Sequence, residues 1–206
     1  MTRLSKIQRL SLLAASTTVI TGGVLFPVTA FAAPAPQTAP VATTDAATHW
    51  TATTDDLSGI TAELPGHPQM QKYSENGVEA RVYLVPTDYG TLGFVVYDTP
   101  NTGQKDLKGC LQSWLDGYNE DSRSGDSTLT SKDLQEGTTA DGQPAVDSAL
   151  SAGDGTVGHV RFVDLGDHMV QVVALGKKGS QQDVDADYLQ LLNGVQLPSD
   201  GTTQSY

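Results

Sequence analysis

The spacing of apolar and polar positions changes period several times between residues 57 and 198. Ile60, Ala62 and Leu64 alternate with Thr61 and Glu63, which predicts a half-buried strand stopped by Pro65-Gly66. Two β-rich runs follow, Gly77 to Pro86 and Thr91 to Thr99. They are joined by Thr87-Asp88-Tyr89-Gly90 and read as a hairpin. In the second run Leu92, Phe94 and Val96 point one way while Val95 and Tyr97 point the other, so both faces are apolar and the sheet is expected to be covered on both sides. The period then lengthens. Leu107, Cys110, Leu111, Trp114, Leu115 and Tyr118 form one stripe along about four turns of helix.

Weaker strands are predicted at Leu129–Leu134 and Ala145–Leu150, and a further hairpin over Val157–Leu165 and His168–Leu175, turned at Gly166-Asp167. A last helix starts near Gln181–Asp183. Its stripe is Val184, Tyr188, Leu191, Leu192 and Val195, and Leu197-Pro198 closes the domain. The order β-β-β-α-β-β-β-β-α predicts an α+β fold, an antiparallel sheet of six to seven strands flanked by two amphipathic helices.

The flanks differ in composition. Residues 1–32 open with Arg3, Lys6 and Arg9, continue through an apolar stretch from Leu10 to Val28, and end in Ala30-Phe31-Ala32. This is the layout of a secretory signal peptide cleaved after Ala32. A spanning helix wants about 20 consecutive apolar residues, and Gly and hydroxyl residues interrupt this stretch. With no Arg-Arg pair the general secretory route is expected, and with no cysteine near the cleavage site no lipid anchor is. Residues 33–56 hold seven Ala, three Pro and seven Thr, which reads as a disordered linker. Residues 199–206 read as a flexible tail. The domain is thus expected at 57–198.

The whole chain has 206 residues, 12 basic and 24 acidic, for a formal net charge of −12. Residues 1–32 contain three of the basic residues and no acidic one, so the mature chain has nine basic residues and a net charge of −15. Nucleic acid is excluded as a partner, because phosphate binding needs clustered Lys and Arg. Anionic lipid would be repelled, and the acidic surface attracts cations or a basic partner. A single cysteine excludes an intrachain disulfide and a multi-cysteine metal site. Cys110, on an apolar stripe, reads as a small core hydrophobe.

Three motifs resemble chemistry. Gly153-Asp154-Gly155-Thr156-Val157-Gly158 fits G-x-G-x-x-G, but a strand follows it where a dinucleotide site needs a helix, so it reads as a hairpin turn. Asp183, Asp185 and Asp187 begin like a calcium loop, yet Tyr188 stands where glycine is needed and Gly194 where a glutamate is needed. No cofactor and no metal are therefore expected. Gly125-Asp126-Ser127 resembles the opening of a GDSL hydrolase motif. Ser127 would need a base, and His159 or His168 is available in the last hairpin, with Asp147 or Asp164 as the orienting acid.

Residues 59–198 resemble a secreted actinobacterial-type protein with a PsbP-like domain. The fold also takes in a Ran-binding nuclear import factor and the LpqN/LpqT lipoproteins of mycobacteria. The likeness rests on Pro65-Gly66-His67-Pro68 after the opening strand, on Gly142-Gln143-Pro144-Ala145 before a later strand, on the Leu197-Pro198 closure, and on the element order. It implies a binding or accessory module without catalytic groups. The expected function is a secreted, non-enzymatic binding protein of the cell envelope or extracellular space. Its expected contacts are Trp50, Tyr73, Tyr89 and Tyr97, because amphipathic rings are over-used at interfaces. The alternative is an extracellular serine hydrolase using Ser127.

Overall fold

The computed structural model describes residues 49–75, 77–99, 103–120 and 125–198. The expected signal peptide and the tail at 199–206 lie outside the described residues. Among the described residues nine strands and two helices run in the order β1 (Trp50–Thr54), β2 (Thr61–Pro65), β3 (Gln69–Glu75), β4 (Val78–Pro86), β5 (Gly90–Asp98), α1 (Leu107–Glu120), β6 (Thr130–Thr138), β7 (Pro144–Ser151), β8 (Val157–Asp164), β9 (His168–Gly176) and α2 (Gln181–Gly194). The fold is α+β. A seven-stranded sheet has the spatial order β3-β4-β5-β9-β8-β7-β6, and β1 and β2 form a separate two-stranded ribbon.

Every neighbouring pair in the sheet is antiparallel. Two meanders, β3-β4-β5 and β6-β7-β8-β9, meet where β5 pairs with β9, Phe94 opposite Val172. Helix α1 connects β5 to the far edge strand β6. Gly166 turns the β8–β9 hairpin at φ 84°, and Leu165 N donates to His168 O at 2.9 Å, a backbone shape that glycine adopts without steric cost.

Alternation along β5 explains the layering. Val95 and Tyr97 enter a core with Leu111, Trp114 and Leu115 of α1, while Leu92, Phe94 and Val96 enter a second core with Ile60, Leu64, Val184 and Leu191. The sheet is the middle of three layers, with α1 on one face and α2 plus the β1-β2 ribbon on the other. The predicted helix stripes are those that bury, and Cys110 is half-buried at the edge of the α1 core. Asp106 caps α1, its Oδ1 accepting Gly109 N at 2.9 Å.

Two strands correct the sequence expectation, so five strands, not three, precede the first helix. The linker expected to reach residue 56 gives way to β1 at Trp50, and the domain begins there rather than at 57. The reason is cross-strand pairing: β-branched Thr51, Thr53 and Thr54 lie opposite Leu64, Ala62 and Thr61, and Trp50 packs on the α2-face core. Strand β3 is an edge strand paired only with β4. Its sequence, Gln-Met-Gln-Lys-Tyr-Ser-Glu, lacks an apolar period because little of it is buried.

Candidate functional site

Strand β8 alternates. Val160 and Phe162 enter the α1 core, so His159 and Arg161 point to the α2 face. His159 lies opposite Ala149 on β7 and Ala174 on β9. These small neighbours leave room for its ring to lie against Tyr188 of α2, centroids 4.8 Å apart and planes 16° from parallel. The Nε2 of His159 is 2.7 Å from Asp185 Oδ1, which also accepts from Gln181 Nε2 at 2.5 Å.

Arg161 sits opposite Asp147 and donates Nε–H to its Oδ1 at 2.6 Å, a cross-strand ion pair. The Tyr188 hydroxyl reaches the same carboxylate oxygen at 3.4 Å. Burial first, then the charge of Asp147, pushes the Tyr188 phenol well above 10, so it stays protonated.

These residues line an open groove of about 540 Å³ between α2 and strands β6–β8. Arg161, Leu189 and Leu192 continue it into a second section of about 350 Å³ floored by Val163, Val170 and Val172. Both sections mix charged or polar side chains with apolar ones. On its outer wall Asp133 adopts φ 52°, at a bulge where the β6–β7 register shifts between Lys132 and Gln135. Leu189 is 59% exposed on the rim.

A second polar cluster lies on the same face of the sheet. The Arg81 guanidinium donates to Asp55 through Nε at 2.6 Å and Nη2 at 3.1 Å, and to Asp98 through Nη1 at 2.5 Å and Nη2 at 2.7 Å. Asp55 is fully buried and also accepts from the Ser58 and Tyr83 hydroxyls at 2.6 and 2.8 Å. Burial raises its pKa, but the hydrogen bonds from Arg81, Ser58 and Tyr83 outweigh that and hold it at about 2. His168 Nδ1 lies 3.0 Å from Asp98. The cluster fastens the turn between β1 and β2 to the sheet.

The four aromatics expected at an interface do not converge. Trp50 and Tyr89 pack against the α2-face core and Tyr73 against the α1-face core, all partly buried. Tyr89 donates to Asp187 at 2.7 Å beside a cavity of about 710 Å³ lined by residues that include Asp88, Lys177 and Asp183. Tyr97 is corrected outright. It is 1% exposed and donates its hydroxyl to Gln171 Oε1 at 2.7 Å across the β5–β9 pair, so it is an interior residue.

The serine-hydrolase arrangement is not assembled. His159 and His168 both lie on the α2 face, whereas Ser127 ends a short turn, Gly125–Ser127, between α1 and β6. Asn119 of α1 braces the backbone of nearby Leu129 at 2.7 and 2.9 Å, and Leu129 is in the α1 core. Asp126, the neighbour of Ser127, is tied to the β7–β8 turn, Asp154 N donating to Asp126 O at 2.7 Å, while both imidazoles are engaged with carboxylates of other elements. Ser127 instead hydrogen-bonds Asp154, whose carboxylate is held below its usual value first by Thr156 and then by Ser127.

Gly153–Gly158 leads straight into β8, and Gly155 takes φ 92° in the turn. Asp183, Asp185 and Asp187 fan around α2, and the last two serve His159 and Tyr89 separately. Burial, then Asp106, pushes the Cys110 thiol up, away from thiolate chemistry. Among the described residues no three His, Cys, Asp or Glu side chains are grouped to hold a metal, and no helix is long and apolar enough to cross a membrane.

Arg161 and Tyr188 are the groove residues that sequence reasoning passed over. Their signal was the polar alternate face of β8, His159 and Arg161 between Val160 and Phe162.

No protein-family model matches the chain, and no curated protein matches it in sequence. Among solved structures the chain is similar to cyanobacterial PsbP (CyanoP) from Synechocystis sp. PCC 6803, known from its solution structure. The TM-score is 0.54 at 13% identity, over 73% of this chain and 94% of that one. At that identity the likeness is one of fold, and the fold is PsbP-like.

Proposed function

We propose that the protein is a secreted, non-enzymatic binding domain of the cell envelope or extracellular space, of the kind its LpqN/LpqT resemblance implies, and that it takes its ligand in the groove beside α2. The observation that carries this reading is the groove itself. It joins hydrogen-bonding groups that fix orientation to open apolar side chains, Leu189 foremost, that supply affinity, the usual construction of a ligand site. The paired arrangement of its polar groups supports binding over catalysis. His159 and Arg161 each already engage a carboxylate, and Ser148, the serine of the lining, is hydrogen-bonded to Ser131 and to the Lys132 carbonyl.

Amide chemical shifts of the full chain, recorded while fractions of culture supernatant and envelope extract are added, test the reading. The expected result is a saturable change confined to residues such as Ala149, His159, Arg161 and Leu192, abolished in Ala149→Trp. Saturable changes elsewhere on the surface would refute the groove as the site. Mass spectrometry of the exported protein tests secretion, with cleavage after Ala32 the expected product.

A further inference from the structure

We infer that the groove takes an extended peptide segment in which basic side chains are flanked by apolar ones; the inference rests on the groove being the binding site. Charge complementarity selects this class. The two sections are lined by four carboxylates, Asp133, Asp141, Asp147 and Asp185, against one guanidinium and one imidazole. Both are already engaged from within, Arg161 by Asp147 at 2.6 Å and His159 by Asp185 at 2.7 Å. The surplus charge is therefore negative, in a chain whose formal net charge is −12. An anionic ligand would meet like charge there, which discriminates strongly against it.

The apolar section supplies the second half of the specificity. Leu189, Leu192, Val195 and Leu197 keep apolar surface open beside the acidic rim, so a purely ionic ligand would leave it wet. Length sets the occupant's size. The lining runs along α2 from Gln181 to Asn193 and on to Leu197. Fourteen helical residues span about 20 Å at ~1.5 Å each, the reach of roughly six extended residues at ~3.3 Å each.

The test uses the full chain and three synthetic hexapeptides, acetylated and amidated: Leu-Lys-Val-Arg-Val-Leu, its acidic counterpart Leu-Glu-Val-Glu-Val-Leu, and its apolar-stripped counterpart Ser-Lys-Gly-Arg-Gly-Ser. Decanoate serves as a fatty-acid probe. Binding is read by calorimetry and by amide shifts. The basic-apolar peptide is expected to bind saturably and to move the amides of Ala149, Arg161, Leu189 and Leu192. The acidic peptide and decanoate are expected to leave them in place, and the stripped peptide to bind at least about tenfold more weakly, the worth of one lost apolar anchor. In Asp133→Asn/Asp141→Asn, two exposed charge pairs are lost, and binding is expected to weaken roughly fivefold at low salt.

Binding of the acidic peptide or decanoate at the same amides would overturn the cationic class and leave the groove as the site. Shifts from the basic-apolar peptide at the β3 edge or around Tyr89 would overturn the assignment to this groove. Silence of the groove amides toward every probe, with saturable shifts there from native extract, would overturn the peptide inference alone. Silence toward extract as well would remove both readings.

Discussion

The two faces of the central sheet bury apolar side chains in equal measure but are finished differently. Under α1 the core closes over Trp114, which is fully buried and meets Phe162 edge-on at 6.5 Å. Its polar content is the Tyr97–Gln171 pair, an indole N–H that finds no partner among the described residues, and one ion pair at the margin, Lys105–Asp164 at 2.8 Å. Under α2 and the ribbon, the apolar centre ends in ionic groups at two places. One is the Arg81 clamp and the other is the groove around His159 and Arg161. A face covered by one amphipathic helix packs shut, whereas a face shared by a helix and a short ribbon leaves margins that polar side chains must fill. Those margins are where recognition has room to occur.

Truncations separate the two faces most sharply. Trp114→Ala, which empties the centre of the α1 core, is expected to cost about 4 kcal/mol, read from the urea midpoint. A loss under 1 kcal/mol would show that this face is not close-packed. Asp55→Ala is expected to cost about 3 kcal/mol, because it leaves the buried Arg81 with only Asp98 to neutralise it. Hydrogen exchange should then rise most at β1 and β2; uniform loosening of the whole sheet would contradict a clamp that acts on the ribbon.

The same carboxylate sets the acid limit of stability. Its folded pKa of about 2 lies below the ordinary 3.8, so its contribution is full above about pH 4 and is lost as pH falls toward 2. That amounts to roughly 2 kcal/mol for a shift of this size. Asp98 and Asp164 are also held low, by Arg81 and by Lys105 against burial, and act in the same direction. Asp55→Asn should flatten the acid limb of stability against pH, and an unchanged limb would assign it to other carboxylates.

Tyr97→Phe, on the α1 face, leaves the buried Gln171 carbonyl oxygen without its donor and is expected to cost about 1–2 kcal/mol in thermal denaturation. The smallest effect belongs to the groove rim. Leu189→Ser should change stability by less than about 0.5 kcal/mol, since the side chain is more than half exposed. A larger loss would make Leu189 part of the packed core and the rim a structural seam.

Much of this organisation was legible along the chain. The stripe from Leu107 to Tyr118 and the opposed faces of Leu92–Tyr97 announced two helices on a sheet covered on both sides, because burial writes its period into sequence. Strand β3 was silent for the converse reason. An edge strand is held by backbone hydrogen bonds to one neighbour, and these leave no apolar pattern. Strand β1 hid in threonines that also suit a linker. At the site, His159 and Asp147 stood out as titratable groups. Their pairing with Asp185 and Tyr188 did not, since these lie 26 and 41 residues further on and meet them only when α2 packs across β7 and β8.

The sequence by itself determined the elements, their amphipathic faces, the acidity, and the absence of a cysteine framework, all properties of local spacing and composition. Only the tertiary structure decided that β5 joins β9, that Asp55 reaches Arg81, and that Ser127 pairs with Asp154 while His159 and His168 pair with Asp185 and Asp98. It also decided that four carboxylates border an apolar groove. Each of these depends on contacts between segments far apart in the chain, which periodicity does not encode.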